Sequence, residues 1–294
     1  MTTLQSSIAT YKLQDIADKL FHFTSIEKIH QLIYKLGANP NVTGRNYKLT
    51  VLGAAFHIYN SKYVTMDDEE EPRQTKYIMD LLKIFLLNPR FNVNGLNFRD
   101  GNGILHNIVI GLEDTSHRDI FLEAALRLAP NLDVNTKVMP LKCQDNSEYE
   151  DDNTVLHLIA KNIGNLRDSE NCFRILLKAG ANPNIQNGIG NTPLHIFLYK
   201  TYGLMLLDNA EEYHLATERC TQVLLDWGAN PNIQNYTTGF TALHEAAMAK
   251  SQTLETCIML SRKGNHNILS RRGETVLQLA TRIGCPNMIA AIVQ

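Results

Sequence analysis

Short blocks of apolar residues at helical spacing alternate with polar turns along the chain. After Thr192-Pro193, the apolar residues Leu194, Phe197 and Leu198 recur as they do on one face of a helix. Thr is a favourable N-cap, and Pro suits the first helical turn because its missing N–H has no partner there. A second apolar block ends at Gly180, where a helix C-terminus favours a left-handed residue. The pattern predicts a unit of helix, turn, helix and polar hairpin loop.

The phrase that ends the second helix of the unit is repeated almost unchanged. It reads Leu-Leu-Lys-Ala-Gly-Ala-Asn-Pro-Asn-Ile-Gln-Asn at 176–187 and Leu-Leu-Asp-Trp-Gly-Ala-Asn-Pro-Asn-Ile-Gln-Asn at 224–235. Weaker copies of the unit surround these two, and the motif leucines are Leu52, Leu105, Leu156, Leu194, Leu243 and Leu277. Self-similarity of this kind indicates a repeat architecture in which each unit stacks on its neighbours.

The helix-opening motif Thr-Pro-Leu-His at 192–195, with Thr-Ala-Leu-His at 241–244, resembles the signature of the ankyrin-repeat family. The resemblance implies an all-α ankyrin-repeat solenoid of about six irregular repeats with insertions. It would form a single domain over 1–294, with a capping helix in 1–24 and repeats in 25–294. In the family the motif histidine ties the hairpin loop to the helix start. That structural role is expected for His106, His157, His195 and His244.

Two of the repeats are extended between their helices. The residue that ends the second helix follows the motif leucine by 38 residues in the first repeat and by 34 in the fourth, but by 21 in the fifth. The first insertion carries the acidic run 67–71, and the other spans 199–217 with apolar residues at 204–207, which predicts extended helices. A third insertion, 137–152, lengthens a hairpin loop and ends in acidic residues. Acidic runs of this kind are either solvated or steer a basic partner.

Composition and motifs argue against several classes of protein. The chain has 44% hydrophobic residues and a net charge of −2, which fits a folded protein without a strong attraction to nucleic acid or membranes. No apolar window reaches the ~18 residues that a membrane helix needs, and no signal peptide is visible. The sequence contains no phosphate-binding loop, nucleophile elbow or metal-ligand spacing. We therefore expect a protein that is not an enzyme and that uses no metal, cofactor or small-molecule substrate.

The five cysteines show no spacing typical of a disulfide framework. Cys172 and Cys220 each lie eight residues before a helix-ending glycine, in a phase that faces the core, so we expect buried, reduced thiols. Reduced thiols suit an intracellular, cytoplasmic location. Cys143 lies in the hairpin insertion and is expected to be accessible.

The resemblance also implies a partner-binding surface. Ankyrin stacks usually bind through the hairpin tips and the exposed side of the first helix, which together line a concave groove. The matching positions are Gln186, Ile189, Asn191, Tyr199, Lys200, Gln234, Tyr236, Phe240, Met248, Arg271 and Arg272. Aromatic and Met side chains are enriched in interface cores. Two roles stay open: Phe240 either contacts a partner or packs under its own loop, and Trp227 either covers the neighbouring insertion or anchors a partner.

These observations predict a monomeric scaffold or adaptor whose partner is another protein. The irregular repeats and their Asn-Pro-Asn phrases are similar in style to ankyrin proteins of intracellular bacteria and large DNA viruses. This adds the hypothesis of an effector that is delivered into a host cell and binds a host protein. Two alternatives stay open: the chain is the targeting half of a longer enzyme, or it binds nucleic acid or lipid head groups through a basic patch. The patch residues are Arg262, Lys263, Arg271 and Arg272.

Overall fold

The computed structural model describes residues 3–18, 24–45, 49–63, 70–95, 102–110, 112, 117–138, 152–162, 166–201, 210–249 and 253–294. Over these ranges the chain forms fourteen α-helices and one π-helical segment, and its only β-type contact is an isolated bridge between Thr43 and Thr50. None of the helices described in this way is long and apolar enough to cross a bilayer. The chain divides into two compact units, Met1–Gln144 and Asp145–Gln294.

The first unit is built from two rows of helices. They are α1 (Thr3–Asp18), α2 (Ile26–His30), the π-helical segment Gln31–Lys35 that continues α2, α3 (Val51–Tyr63), α4 (Glu70–Leu86), α5 (Ile104–Ile110) and α6 (Arg118–Leu128). Helices α1, α3 and α5 pack in one row, and α2, α4 and α6 pack in the other. The buried rings of Phe56 and Phe121 meet edge to face across the rows, with centroids 5.9 Å apart. Burial of such apolar surface is what holds the rows together.

The second unit repeats the same arrangement. Its helices are α7 (Val155–Lys161), α8 (Leu166–Lys178), α9 (Pro193–Lys200), α10 (Ala210–Asp226), α11 (Ala242–Ala249), α12 (Leu254–Lys263), α13 (Val276–Ile283) and α14 (Pro286–Val293). Helices α7, α9, α11 and α13 pack in one row, and α8, α10, α12 and α14 pack in the other. Phe173 and Phe197 contact edge to face across the rows, 5.8 Å apart. The succession of helix pairs confirms the all-α units predicted from the apolar spacing.

Helix ends lie where the sequence predicts them. Helix α9 begins at Pro193, directly after Thr192, whose backbone is extended and whose side chain belongs to a capping box. Gly180 and Gly228 have φ angles of +94° and +85°, the left-handed conformation expected after a second helix. Helices α4 and α10, which follow the two inter-helix insertions, have 17 residues each, whereas α12 has 10. Part of each insertion therefore lengthens a helix.

Some of the sequence-based expectations fall outside the described residues. These are the acidic residues 67–69, most of the hairpin insertion (139–151, with Cys143), and the apolar residues 204–207. Cys172 and Cys220 are described, and both are buried free thiols, as predicted. Burial raises the pKa of the Cys220 thiol to about 12, so this sulfur stays protonated and unreactive at neutral pH.

A neutral histidine joins a helix start to the next hairpin loop in the second unit. The backbone N–H of Thr192 donates to Nδ1 of His195 over 3.2 Å, so Nε2–H donates to the carbonyl of Phe240, 3.1 Å away in the following repeat. Burial lowers the pKa of His195 to about 4, which keeps the ring uncharged at neutral pH. The neighbouring repeats make the same contact, from His157 to Asn191 and from His244 to Glu274.

A second set of contacts ties adjacent hairpin loops through the side chains of the repeated phrase. Nδ2 of Asn184 donates to the carbonyl of Gly228 over 2.8 Å, and Oδ1 of Asn184 accepts the N–H of Asn230 over 2.7 Å. Nε2 of Gln186 donates to the carbonyl of Gln234 over 3.0 Å. The first unit has its own members of this set, Asn41 with Arg90 and Asn92, and Asn94 with Asn131 and Asp133. Within each unit, side-chain amides thus hold successive loops in register.

The histidine contacts lead to a stability prediction. His195→Ala leaves the N–H of Thr192 and the carbonyl of Phe240 without their partner, so we expect the free energy of unfolding to fall by about 1–3 kcal/mol at pH 7. The unfolded ring binds a proton near pH 6.5 but the folded ring only near pH 4, so the stabilisation is lost as the pH falls between these values. Denaturant unfolding of both chains at pH 7 and near pH 4 measures the effect. An equal deficit at the two pH values would contradict it.

Two glycines in the left-handed backbone conformation allow a matched test of the close contact between adjacent hairpin loops. Gly190 and Gly180 both have left-handed φ angles, +84° and +94°. A Cβ at Gly190 would meet the backbone N and the ring of Tyr236, whereas a Cβ at Gly180 meets nothing within 4 Å. We expect Gly180→Ala to cost about 1 kcal/mol of stability, and Gly190→Ala about 1–3 kcal/mol more. Thermal unfolding of the two variants measures the difference, and equal melting temperatures would show that the loop contact is unimportant.

Candidate protein-binding groove

A groove of about 520 Å³ lies in the second unit, where α9 and α11 meet their hairpin loops. It is lined by Ile189, Asn191, Ile196, Tyr199, Lys200, Asn235, Thr237, Thr238, Phe240, Glu245 and Met248. Both hairpins are fixed by hydrogen bonds between loops, including those of Gln186 to Gln234 and His195 to Phe240. The groove is therefore preformed by the frame of the repeats and does not need a partner to assemble it.

More than half of the predicted partner-binding residues line this groove. They are Ile189, Asn191, Tyr199, Lys200, Phe240 and Met248. Tyr199 and Met248 expose 59% and 41% of their surface. Large apolar side chains that are kept in water on a rigid frame mark candidate contact surfaces. The amino group of Lys200 lies 6.0 Å from the centroid of the Tyr199 ring, so a positive charge accompanies the aromatic ring on α9.

The structure shows the surroundings of Phe240 and Trp227, the two residues whose roles the sequence left open. Phe240 stacks on the ring of His244, with centroids 5.2 Å apart and planes 12° from parallel. Phe240 also lines the groove, so it both packs on its own repeat and borders the cavity. Trp227 lies in the turn after α10 and is 45% exposed, but it is not among the groove residues.

Three of the other predicted residues, Gln186, Gln234 and Tyr236, belong to the contacts between loops. Nε2 of Gln234 donates to the carbonyls of Gly239 and Leu269, each over 2.8 Å. The hydroxyl of Tyr236 donates to Oε1 of Gln186 over 3.3 Å. These side chains do not line the groove but connect the hairpin loops, a role that the periodicity of the sequence does not reveal.

The last two predicted residues, Arg271 and Arg272, lie on the next hairpin loop and outside the groove lining. Both are exposed. Of the neighbouring basic residues, Lys263 donates to the carbonyl of Leu225 over 2.9 Å and lies 3.8 Å from the carboxylate of Asp226. Part of the basic patch is therefore already engaged within the protein.

Glu245 is a groove residue that the sequence reasoning missed. It directly follows His244 on α11 and is only 9% exposed. Nδ2 of Asn235 donates to its Oε1 over 3.3 Å, a long hydrogen bond. Burial raises the pKa of this carboxyl to about 7. The available signal was the register of the repeats, because the residue after the motif position is aliphatic at Leu158, Ile196 and Leu279.

The first unit has a groove of its own, of about 480 Å³. It is lined by Asn41, Thr43, Thr50, Leu52, Gly53, Phe56, Phe91, Asn92, Val93, Gly95, Asn102, Ile104 and Asn107. No residue of this set was predicted to bind a partner, because the helix-opening motif is degenerate here and the comparison with regular repeats carries little weight. The lining is mainly amide and aliphatic, with no charged side chain.

Among the residues that the structure describes, no three His, Cys, Asp or Glu side chains come together as metal ligands. The motif histidines instead use both ring nitrogens in contacts between helix and loop where those contacts are described, as in His157, His195 and His244. The groove of the second unit thus combines several apolar side chains with one buried acid, Glu245.

The raised pKa of Glu245 leads to a second stability prediction. The carboxyl ionises near pH 4.5 in the unfolded chain and near pH 7 in the folded one, so the folded state loses stability as the pH rises between these values. We expect Glu245→Gln to raise the free energy of unfolding by up to about 3 kcal/mol at pH 8 and to change it little near pH 4. Glu255→Gln, at an exposed carboxylate of α12, is the matched control. A Glu245→Gln chain that is no more stable than wild type at pH 8 would contradict the burial argument.

Comparison with known proteins agrees with this geometry. Residues 151–188, which contain α7 and α8, match the family model of the ankyrin repeat. A curated relative from Rickettsia felis, named as an ankyrin repeat protein, is 37% identical over 87 residues, which cover 29% of this chain and 34% of the relative. The match thus spans about a third of the relative's length. These matches cover part of the chain, and together with the paired helices and the histidine contacts between repeats they show an all-α fold similar to that of ankyrin repeats over the described residues.

Proposed function

We propose that this chain is a protein-interaction scaffold that binds a partner protein through the groove of α9 and α11. The observation that carries the proposal is the exposure of Tyr199 and Met248 on either side of a preformed cavity. Side chains of these types are over-represented in the cores of protein interfaces. Ankyrin repeats generally mediate protein–protein interaction and are typically not enzymes, which supports a binding function for this chain.

The shape of the groove favours an inserted segment over a flat contact. A cavity of about 520 Å³ accommodates a few side chains, and its walls are hairpin loops tied together by hydrogen bonds. Rigid walls reduce the entropy that is lost on binding. A small number of anchoring side chains at the centre of an interface usually dominates its affinity. We therefore propose that a short stretch of the partner enters the groove, while the hairpin tips contact its flanks.

The rival proposal of a nucleic-acid or lipid binder depends on Arg262, Lys263, Arg271 and Arg272. None of these residues lines the groove, and Lys263 is engaged with Leu225 and Asp226. Binding that rests on such charges weakens steeply with added salt, whereas binding in an apolar groove does not. A salt titration therefore separates the two proposals.

We also propose that the scaffold works in the cytoplasm, where the buried free thiols of Cys172, Cys220, Cys257 and Cys285 stay reduced. The hypothesis of an effector with a host protein as partner rests on the style of the repeats and on the likeness to the Rickettsia felis protein. Co-purification from a host-cell extract, compared with an extract of the producing organism, tests which set of proteins contains the partner.

The groove proposal makes a direct prediction about binding. In the double variant Tyr199→Ala with Met248→Ala, both exposed groove residues are truncated, so we expect a partner captured by the wild-type chain to bind more weakly by about 2 kcal/mol or more, roughly thirtyfold in Kd. The melting temperature should change little, because both side chains are exposed. Trp227→Ala, which removes an equally exposed ring outside the groove, is the matched control.

The measurement has two steps. Affinity capture with quantitative mass spectrometry first compares the wild-type chain with both variants, and a titration with the purified partner then gives each Kd. If Trp227→Ala abolishes capture while the double variant does not, the partner binds on the second-helix side and the groove proposal is wrong.

A further inference from the structure

Glu245 places a carboxyl group at a position that is aliphatic in the other repeats of the second unit and an amide, Asn107, in the first unit. In the register of the repeats it corresponds to Leu158, Ile196 and Leu279, all of which are buried. Ile196 lines the same groove from α9, so one side of the cavity carries an aliphatic side chain and the other carries a carboxyl group. An acid at a buried position is costly unless its charge is compensated. Buried acids of this kind, placed in a cleft, are candidates for function.

The compensation within the described residues is incomplete. The donor to the carboxyl that those residues supply is Nδ2 of Asn235, at 3.3 Å on Oε1. Asn191 also lines the groove, and its buried Oδ1 accepts no hydrogen bond from the described part of the chain. A buried acceptor without a donor destabilises the structure that contains it. Because Oδ1 of Asn191 is itself buried, the acceptor that the groove offers to a ligand is the carboxyl of Glu245, and a group that brings N–H donors and positive charge complements it.

We propose that the groove binds a Lys or Arg side chain of the partner, whose N–H groups donate to Glu245 while its aliphatic stem packs against Tyr199, Phe240 and Met248. The inference rests on the proposed protein-binding function and specifies the partner chemistry of that same site. Lys and Arg commonly bury their methylene stems along apolar surface and place the charged head in a polar spot. Charge-assisted hydrogen bonds to a carboxylate are among the stronger polar contacts in proteins. The aromatic walls add a favourable interaction with a cation.

An acidic partner segment is the competing occupant, because Lys200 also lines the groove. The charge of Lys200 lies beside the Tyr199 ring, and the side chain is partly exposed to solvent. Glu245 is far more buried, and a second negative charge next to it would be repelled. The buried carboxyl of Glu245 therefore favours a positively charged group inside the groove, whereas Lys200 interacts with groups closer to the solvent.

The proposal couples binding to pH. Burial alone raises the pKa of Glu245 to about 7, and a bound cation would stabilise its ionised form. Other ionisable groups lie on α11 and on the elements around it. They are His244 on α11; His195, Tyr199 and Lys200 on α9; Glu255, Cys257, Arg262 and Lys263 on α12; Arg282 on α13; and Tyr236, His266, Arg271, Arg272 and Glu274 on the adjoining loops. Glu245 lines the groove, and burial brings its pKa to about 7. Binding of a basic side chain should therefore weaken about tenfold between pH 8 and pH 6.

A selection from a random peptide library on the immobilised full-length chain at pH 8 tests the proposal. Three chains are used: the wild type, Glu245→Gln, and the double variant Tyr199→Ala with Met248→Ala. We expect the wild type to enrich peptides with a Lys or Arg flanked by apolar residues, and the double variant to enrich none of them. One enriched peptide is then synthesised with its basic residue intact and with norleucine in its place, and calorimetric titrations give Kd at pH 8 and pH 6.

The expected results separate the inference from the proposed function. Glu245→Gln should weaken the basic peptide at least tenfold at pH 8, remove its pH dependence, and leave the norleucine peptide unchanged. Loss of folding does not confuse this test, because Glu245→Gln is expected to stabilise the free chain at pH 8. Peptides that require Tyr199 and Met248 but carry no basic residue, carry acidic residues instead, or bind Glu245→Gln equally well would overturn the inference and leave the groove function standing. Absence of any peptide that depends on Tyr199 and Met248 would contradict both.

Discussion

The second unit depends on a hydrogen bond that each motif histidine makes across the boundary between repeats. The ring nitrogen that faces its own helix accepts the N–H of the capping threonine, and the other donates to a carbonyl of the next hairpin loop, as from His195 to Phe240. This geometry requires an uncharged ring, and burial supplies that condition at His195 by lowering its pKa to about 4. Because the donor sits in one repeat and the acceptor in the next, the contact fixes the distance and rotation between them. Helix packing adds most of the energy, but it does not by itself determine where the loops lie.

The amide side chains of the loop phrases complete this frame. Asn184 and Gln186 each bridge to the loop of the following repeat, and Gln234 does the same one repeat later. Backbone polar groups in the hairpins are thereby satisfied by neighbours and not only by water. Tyr199 and Met248 lie on α9 and α11 beside these fixed loops, and both stay exposed to solvent.

Glu245 differs from Tyr199 and Met248, because it lines the same groove but is buried. Its carboxyl replaces an aliphatic side chain at a position where the neighbouring repeats bury Leu158 and Ile196. Stability at neutral pH would be greater with a neutral side chain there. A residue that lowers the stability of its own fold, while its oxygens face a cavity, is more simply explained by what the cavity binds than by packing. The groove of the first unit has no such charged residue, so the two grooves differ in chemistry, although one lies beside α3 and α5 and the other beside α9 and α11, which are first helices of helix pairs.

The sequence by itself determined the helix pairs, their starts and ends, the left-handed glycines and the resemblance to ankyrin repeats, because these features depend on residues close together in the chain. Thr192-Pro193 specifies a helix start through local capping, and Gly180 a helix end through backbone freedom. Only the tertiary structure decided the rest. Gln186 and Gln234 look like exposed loop residues in the sequence, but Gln186 bonds to Gln234, 48 residues away, and Gln234 bonds to Leu269, 35 residues away. The burial of Glu245 likewise depends on α9 and α11 coming together, since desolvation is set by neighbours from distant parts of the chain and not by adjacent residues.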